Sequence, residues 1–309
     1  MKILIALGGN ALLSPDQQGT IQQQLETVSS TCKEIVKIIK AGHKVTLSTG
    51  NGSQIGFLAI QNEISKGEVP PMPLDVLGAE SQGWIGYLLQ KQLGIELRRN
   101  KLEIPVLTVI TQVLVDQHDP EFQNPTKPIG PYYSKREADR LAKERNWMFK
   151  KLSKGYRRVV SSPDPKEIVE REVIKKLVDS GAIVIACSGG GIPVIKKNGE
   201  LKGVEAVIDK DLASELLATL IGAEMFLILT DVDQVYLNYG QPNQKPISHL
   251  TIGEARDYLN QGQFPPGSMG PKIKACIRFL EHGGQKAVIT SLNKANLALE
   301  GKAGTLIER

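Results

Sequence analysis

The sequence has few cysteines and no long apolar run. Its three cysteines, Cys32, Cys187 and Cys276, lie far apart among apolar neighbours. An odd number at such spacing fits neither a disulfide framework nor a zinc site, so we expect buried thiols in a reducing compartment. No apolar stretch approaches the ~20 residues that a membrane span needs. Gly8 interrupts the apolar N-terminal run early, and we therefore expect a cytoplasmic protein with neither a signal peptide nor a membrane partner.

The common motifs of nucleotide chemistry are missing as well. The chain contains no G-x-x-x-x-G-K-[ST] P-loop and no protein-kinase H-R-D or D-F-G. Residues 50–56 (GNGSQIG) have one residue too many for the dinucleotide pattern G-x-G-x-x-G. The four histidines lie away from the glycine-rich loops, which argues against a histidine base. No pair of carboxylates resembles a glycosidase site or a two-metal site.

What remains is an ordinary globular composition with a small positive charge. The 309 residues are 41% hydrophobic and 23% charged, which allows a sizeable core in one large domain or two closely joined ones. The formal net charge of +5 suits a small anionic ligand. It is far below what is typical of nucleic-acid-binding proteins, so we expect no nucleic-acid partner.

Short apolar runs alternate with helical patterns, and this order predicts an α/β fold. The clearest apolar runs are residues 3–7, 182–187 and 225–229, which predict strands buried inside a parallel sheet. Residues 45–48 (VTLS) are predicted as a further strand. From Ile21 to Lys40, apolar residues recur every three or four positions, which predicts a helix. Two less regular segments are predicted as a strand (105–115) and as a helix (165–180).

A glycine-rich or aspartate-ended loop follows each apolar run. These loops are residues 8–10, 50–52, 188–191 and 230–233. Ligands of open α/β sheets collect at the carboxyl ends of the strands, and glycines let backbone N–H groups approach an anion. A single loop of this kind is explained by an ordinary tight turn. Several such loops at one edge of the sheet predict an anion site.

Glycines also interrupt the helix that is predicted at 77–93. It contains Gly78, Gly83 and Gly86, and each interior glycine costs ~0.8–1 kcal/mol relative to alanine. Two explanations stay open. Either another backbone approaches the helix closely, for example across a subunit interface, or the helix is kinked inside the chain.

Residues 116–165 differ from the rest in being rich in proline and charge. Ser134 and Glu137 form a capping box that predicts a short helix, and residues 148–160 (MFKKLSKGYRRVV) predict a basic hairpin that turns near Lys154 and Gly155. We interpret the block as an inserted subdomain or lid. Its basic cluster fits a solvated face or a gate for a small anion better than a nucleic-acid surface.

Lysines at helix N-termini are the most unusual feature of the chain. Lys210 lies at the N-terminus of a helical pattern that begins at Asp211, where the helix dipole disfavours a cation unless an anion is bound there. Alternatively, it is a solvated lysine balanced by Asp209 and Asp211. Lys272 also lies at a helix start. Together with Lys127, these residues suit phosphoryl transfer to an acceptor that is already an anion, because no general base is then needed.

The chain resembles the amino acid kinase superfamily and, within it, the carbamate kinases. The resemblance covers essentially the whole chain. Its motifs are ALGGNAL (6–12), STGNGSQIG (48–56), MPLDVLGAESQGWIGYLLQ (72–90), NPTKPIGPYYS (124–134), GYRRVVSSPDP (155–165), IACSGGGIPV (185–194), GVEAVIDKDLAS (203–214), LILTDVDQVYLNYG (227–240) and FPPGSMGPKIKA (264–275).

The resemblance implies a fold, a reaction and partners. The fold is a three-layer αβα sandwich on a mostly parallel open sheet with an inserted lid (116–165). It forms a single domain, in which residues 1–200 mainly bind the acceptor and residues 201–309 mainly bind the nucleotide. The implied reaction is ATP plus carbamate to ADP plus carbamoyl phosphate, reversible, with Mg²⁺ on the nucleotide. The implied assembly is a homodimer.

The resemblance also implies roles for individual residues. Lys127 would reach the acceptor from the lid, Lys210 would neutralise the phosphates with Asp211 orienting it, and Lys272 would hold the nucleotide phosphates. The implied acceptor-side residues are Gly8, Gly9, Asn10, Gly50, Asn51 and Gly52. The implied nucleotide-side residues are Gly189, Gly190, Asp231, Tyr236, Met269 and Gly270. No metal ligand is assigned.

Two positions depart from the family pattern, and two alternatives to this function stay open. Ser188 replaces a usual glycine, and a serine would be strained there if φ were positive. Ser53 replaces a common proline.

The chain could instead phosphorylate an N-acylated amino acid, in which case a roomy apolar acceptor pocket is expected. It could also be a non-catalytic nucleotide sensor, since a fold does not fix a function; retention of the three lysines and Asp211 argues against this.

Overall fold

The computed structural model describes residues 1–14, 16–152 and 154–309. Residue 153, within the predicted 148–160 hairpin, lies outside the described residues. The α-helices are α1 (Ile21–Lys40), α2 (Gly52–Ser65), α3 (Leu74–Arg99), α4 (Lys135–Arg145), α5 (Arg171–Asp179), α6 (Lys210–Leu220), α7 (Ile252–Asn260), α8 (Met269–Glu281) and α9 (Ala295–Leu299). The strands are β1 (Lys2–Leu7), β2 (Lys44–Thr49), β3 (Val106–Thr108), β4 (Gln112–Val115), β5 (Lys127–Tyr133), β6 (Met148–Leu152), β7 (Gly155–Val160), β8 (Pro165–Ile168), β9 (Ile183–Ile185), β10 (Ile192–Lys197), β11 (Glu200–Gly203), β12 (Met225–Thr230), β13 (Val235–Leu237), β14 (Lys245–Ile247), β15 (His249–Thr251), β16 (Lys286–Ser291) and β17 (Thr305–Glu308).

The main sheet has eight strands in the order β15-β17-β16-β12-β1-β2-β9-β3. All neighbours pair in parallel except β16 and β17, so the two strands at the β15 edge run opposite to the rest. The predicted mostly parallel sheet is confirmed. Because β1 lies between β12 and β2, the loops that follow these three strands meet at one edge of the sheet.

Alternate residues of the central strands face two different helix layers. In β1, Ile3 and Ile5 belong to a core with α1 and α3, whereas Leu4 and Ala6 belong to a core with α6 and α8. Successive side chains of a strand point to opposite faces, so apolar residues at every position require helices on both faces. The three-layer αβα sandwich is thereby confirmed.

The structure explains one glycine of α3 by packing within the chain. The helix runs unbroken from Leu74 to Arg99, longer than the predicted 77–93. A Cβ atom on Gly86 would lie 2.3 Å from the Cγ2 atom of Thr108 on β3. The close neighbour of Gly86 is therefore the edge strand β3, and the helix is not broken there.

Two predicted elements were wrong in their boundaries. Residues 105–115 form two strands, β3 in the main sheet and β4 in a four-stranded sheet of order β11-β10-β4-β8. The chain changes sheets at Thr111, whose backbone N–H and C=O both bond the buried side-chain amide of Gln82. Residues 165–180 form β8 followed by the shorter helix α5, because 165–168 pair with β4.

The 116–165 insertion folds as a small antiparallel sheet of order β5-β7-β6 with α4 beside it. The capping box of Ser134 and Glu137 is confirmed, and β6 and β7 pair as the predicted hairpin. Strand β5 contains two prolines and lies at the sheet edge, where missing N–H donors are tolerated. Ile129 and Val160 join a small apolar cluster with α2. In the described part of the chain, no helix has the length and hydropathy of a membrane span.

Candidate functional site

The loops after β1 and β2 pack closely against neighbouring strands, and this packing leaves no room for a side chain at Gly8. The Gly8 N–H donates to the carbonyl oxygen of Leu229 on β12 at 2.8 Å, and a Cβ atom on Gly8 would lie 2.9 Å from that oxygen. The Gly50 N–H donates to the carbonyl oxygen of Leu7 at 3.0 Å. Gly9 and Asn10 follow in an exposed turn. The predicted acceptor-side loops therefore lie together at the carboxyl edge of the sheet.

The loop after β9 closes against the loop after β2. Gly189 and Gly190 have φ values of +69° and +89°, and Cβ atoms there would lie 2.2 Å from Asn51 Nδ2 and 2.3 Å from the Ile208 carbonyl oxygen. Only glycine fits both positions. In this loop Cys187 is the non-glycine residue with a left-handed backbone (φ 52°), and Ser188 is not left-handed. The strain considered for a serine at position 188 therefore does not arise. Asn51 in turn donates to Ser81 Oγ at 2.9 Å, a contact that the sequence did not indicate.

A carboxylate bridges two lysines at the start of α6. Lys210 Nζ lies 2.9 Å from Asp211 Oδ1, and Lys272 Nζ donates to Asp211 Oδ2 at 2.9 Å. The lysine side chains are each 14% exposed and that of Asp211 is 4% exposed. Asp209 caps the helix by accepting from the Asp211 N–H. Of the two readings of Lys210, the solvated surface lysine is therefore wrong.

Burial and mutual charge set the protonation of this bridge. Burial lowers the pKa of Lys210 below its usual value, with Asp211 opposing the effect and Lys272 adding to it. Burial opposes the charged forms of Asp211 and Lys272 as well. It is outweighed by their partners, so the pKa of Asp211 is lowered and that of Lys272 is raised. The arrangement holds one more positive than negative charge in a largely desolvated place, where an anion is attracted strongly.

The third lysine reaches the same place from the insertion. Lys127 begins β5, and its Nζ donates to Asp209 Oδ2 at 2.9 Å. Its side chain is 35% exposed. Since Asp209 and Asp211 are neighbours in the first turn of α6, the structure brings all three predicted lysines to one helix N-terminus. Such a terminus also presents backbone N–H groups to an anion.

A cavity of about 310 Å³ opens beside Lys272. Three of the predicted nucleotide-side residues line it, namely Asp231, Tyr236 and Met269. The remaining lining residues are Thr230, Val232, Tyr239, Phe264, Pro265, Gly267, Ser268 and Lys272. This volume and mixed apolar and polar lining are typical of a small-molecule site.

The sequence prediction of this cavity was incomplete. Tyr239 and Phe264 were missed, although Tyr239 lies three residues after Tyr236 and their ring centroids are 6.0 Å apart. Gly189 packs on Asn51 and Gly190 on the Ile208 carbonyl, and neither glycine is among the residues that line this cavity. Gly270 supports the helix start, because its N–H donates to the Pro265 carbonyl oxygen at 2.9 Å.

The carboxylates of the site are poorly suited to holding a metal ion with protein ligands alone. Among the described residues, no three His, Cys, Asp or Glu side chains are grouped as metal ligands. Both carboxylate oxygens of Asp209 and of Asp211 are already engaged by lysines or by a backbone N–H. Mg²⁺ commonly takes one or two carboxylates and completes its shell with phosphates and water. The donor set fits an ion that is carried by nucleotide phosphates, with Asp231 as the carboxylate that lines the cavity.

Comparison with known proteins gives a consistent result. The amino acid kinase family profile matches residues 1–291. A carbamate kinase of Pyrococcus furiosus is 50% identical over 99% of this chain and 98% of its own length, and one of Clostridium perfringens is 47% identical over 99% of both. A solved structure of carbamate kinase from Giardia lamblia bound to AMP-PNP is 43% identical and superposes with a TM-score of 0.94 over 99% of this chain and 98% of that one.

Proposed function

The chain belongs to the amino acid kinase family and, within it, to the carbamate kinases, and we propose that it catalyses reversible phosphoryl transfer between ATP and carbamate. That it is a kinase follows from full-length similarity to such enzymes. The observation that best supports the reaction is the carboxylate of Asp211 bridging Lys210 and Lys272 at 2.9 Å each.

The bridge supplies what phosphoryl transfer needs most. The transition state spreads negative charge over the phosphoryl oxygens, and catalysis is largely positioning and charge stabilisation. Lys210 and Lys272 are held before any ligand arrives, so no reorganisation of these charges is required during the reaction. Lys272 also lines the cavity, which is why we assign it to the nucleotide phosphates and Lys210 to the transferred group.

The acceptor side supports a small anion. Carbamate has a carboxylate oxygen that attacks phosphorus without losing a proton, and the site accordingly needs no base. Lys127 would neutralise the acceptor, and the N–H groups of the loops at 8–10 and 50–52 would orient the transferred phosphoryl group. Because Gly189 closes on Asn51, the packing favours an acceptor without a side chain over an N-acylated amino acid.

Nucleotide binding is proposed at the cavity between Tyr236 and Met269. The solved structure from Giardia lamblia contains AMP-PNP, an ATP analogue, and similarity over the full chain supports the same ligand class for this protein. Mg²⁺ would neutralise phosphate charge when bound with the nucleotide. We retain the division into an acceptor-binding part (1–200, with the 116–165 lid) and a nucleotide-binding part (201–309) as part of the proposal.

We also propose a homodimer through the outer face of α3 and β3. A groove of about 970 Å³ runs along this face. Tyr87 and Ile110 are large apolar side chains that are 61% and 45% exposed there, and Gly83 and Gly94 line the groove. The unpaired edge of β3 invites pairing with a second chain. Sedimentation of the purified protein at several concentrations tests this proposal, and a monomer throughout would contradict it.

The reaction is tested by ATP formation from ADP, Mg²⁺ and carbamoyl phosphate, with Lys210→Ala as the control. We expect ATP from the wild type and almost none from the variant. Acyl phosphates of N-acylated amino acids should serve poorly. If ADP binds but carbamoyl phosphate yields no ATP while such an acyl phosphate does, the alternative acceptor is correct. Binding without any transfer would identify a sensor.

A further inference from the structure

Glu215 is a fully buried carboxylate on α6 that the proposed reaction does not use. It lies one helical turn after Asp211 and on the same face of the helix. Its Oε1 accepts from Thr219 Oγ1 at 3.0 Å and lies 3.1 Å from His282 Nδ1. Its Oε2 lies 3.2 Å from Arg278 Nε on α8. A buried charge is costly unless it is paired, so this carboxylate marks a specific link between α6 and α8.

Arg278 holds a second carboxylate with another part of its guanidinium group. Its Nη1 donates to Asp164 Oδ1 at 2.7 Å. Burial opposes the charged form of Asp164, but the bond from Arg278 and its charge prevail and lower the pKa of that carboxyl. Arg278 thus joins Glu215 on α6 to Asp164, which lies where the insertion ends.

The two ends of the insertion are fastened together at this point. The backbone N–H of Asp164 donates to Asp119 Oδ2 at 3.0 Å, and that of Ser162 donates to Glu121 Oε2 at 3.2 Å. We call residues 119–121 and 162–164 the root of the insertion. Lys127 follows the first of these segments, so the position of the root sets where Lys127 begins its strand.

We propose that Arg278 is a positioning residue that couples the root of the insertion to the α6–α8 pair. In doing so it aligns Lys127 with Lys210 and Lys272. The kinetic consequence rests on the proposed function, whereas the mechanical coupling does not. Arginine suits this role because Nη1 and Nε of its planar group point in different directions, whereas all the donors of a lysine leave a single nitrogen.

The test compares Arg278→Lys with Arg256→Lys, a matched change on the neighbouring helix. Arg256 pairs with Glu281 of α8 at the exposed surface and contacts neither the root nor Glu215 in the described structure. We expect Arg278→Lys to lower kcat/KM about tenfold, with a larger rise in the KM for carbamoyl phosphate than for ADP. Arg256→Lys should leave kcat/KM and both KM values unchanged. Equal, small effects of the two variants would overturn the proposal.

A double-variant cycle separates coupling from simple loss of structure. The single variant Asp164→Asn should reproduce the rise in the KM for carbamoyl phosphate. The double variant Asp164→Asn with Arg278→Lys should have a kcat/KM no lower than that of Arg278→Lys. Additive losses would show that the two residues act independently, contrary to the proposal. Asp164 is partly exposed and asparagine keeps its side-chain volume, so Asp164→Asn remains informative if Arg278→Lys does not fold.

Amide hydrogen exchange tests the mechanical coupling without relying on enzyme activity. In ligand-free protein, Arg278→Lys should speed exchange in β5, and Arg256→Lys should not. Unchanged exchange in β5 would refute the coupling even if the enzyme is active. An inactive wild type with faster exchange in Arg278→Lys would contradict the proposed function alone.

Discussion

The α6–α8 pair and the 116–165 insertion each bring lysine to the site, but they hold it differently. Lys210 and Lys272 extend from helices that pack on the main sheet, and 14% of each side chain is exposed. Lys127 extends from the edge strand of a small sheet and is 35% exposed. The first two lysines share one buried carboxylate, and the third has a partner of its own in Asp209.

The contacts behind each lysine differ in the same way. Helices α6 and α8 bury many apolar side chains in one of the two main cores, whereas the insertion joins the body through a small apolar cluster and ion pairs such as Arg145–Glu63 and Arg158–Glu205. Exposed pairs contribute only about 0–1 kcal/mol each. The positions of Lys210 and Lys272 are therefore fixed by folding, whereas the position of Lys127 depends on weak contacts that a bound ligand can shift.

The sharpest test of this contrast is removal of the buried lysine. We expect Lys210→Ala to lower turnover by roughly 10³-fold, the size of effect seen when a preorganised charge-stabilising donor is lost. The protein should stay folded, because desolvation already disfavours that charge. Initial rates of ATP formation give the activity, and far-UV circular dichroism checks the fold. Turnover close to that of the wild type would refute the role of Lys210.

Asp211→Asn attacks the bridge itself and should have the second-largest effect. It leaves two buried lysines without their carboxylate, a defect that costs about 3–5 kcal/mol, and we expect a clear fall in the urea midpoint. The variant should also shift the pH profile. Asp211 opposes the lowering of the Lys210 pKa, so without it the loss of turnover at alkaline pH should move to lower pH.

The sign of this pH effect separates titration from unfolding. In the wild type, Lys210 loses its proton below the usual 10.5, so turnover should fall as the pH rises through that lowered value. Between the two pKa values the unfolded chain binds the extra proton, and this group makes the folded state more stable as the pH rises. A wild-type profile that stays flat up to the pKa of a free lysine would contradict this prediction.

Lys127→Ala should have a smaller effect, confined to the acceptor side. We expect the KM for carbamoyl phosphate to rise about tenfold, the KM for ADP to stay constant, and the unfolding free energy to change by less than about 1 kcal/mol. Lys150→Ala, at an exposed position in the same insertion, is the matched control. If both variants raise the KM equally, the effect comes from the general charge of the insertion and not from Lys127.

The smallest effect is expected where the insertion meets the body. Glu205 pairs with Arg158 at 2.6 Å and accepts from the Leu74 backbone N–H at 2.9 Å. Glu205→Gln should cost less than about 1 kcal/mol of stability and raise the acceptor KM only about twofold. Thermal unfolding and steady-state kinetics measure both. A loss as large as that of Lys210→Ala would show that the insertion is as firmly preorganised as the helix pair.

Prediction from the sequence worked best where a single local pattern decides the structure. Helix α1 was predicted within its observed bounds because its apolar spacing is regular, and the capping box of Ser134 and Glu137 was recognised because it is local. The segment at 105–115 was predicted wrongly as one strand. Its division depends on Gln82, a residue of α3 that bonds the backbone of Thr111, and no local pattern shows a bond between residues so far apart.

The sequence by itself determined the α/β class, the glycine loops and the three lysines, because periodicity, backbone freedom and charge are properties of short segments. Only the tertiary structure decided that Asp211 is shared by Lys210 and Lys272, that Asp209 receives Lys127, and that Gly189 closes on Asn51. Apart from the adjacent pair Lys210 and Asp211, these contacts join residues between 61 and 138 positions apart. The physical reason is that burial and pairing of charge exist only once the sheet and its two helix layers have assembled.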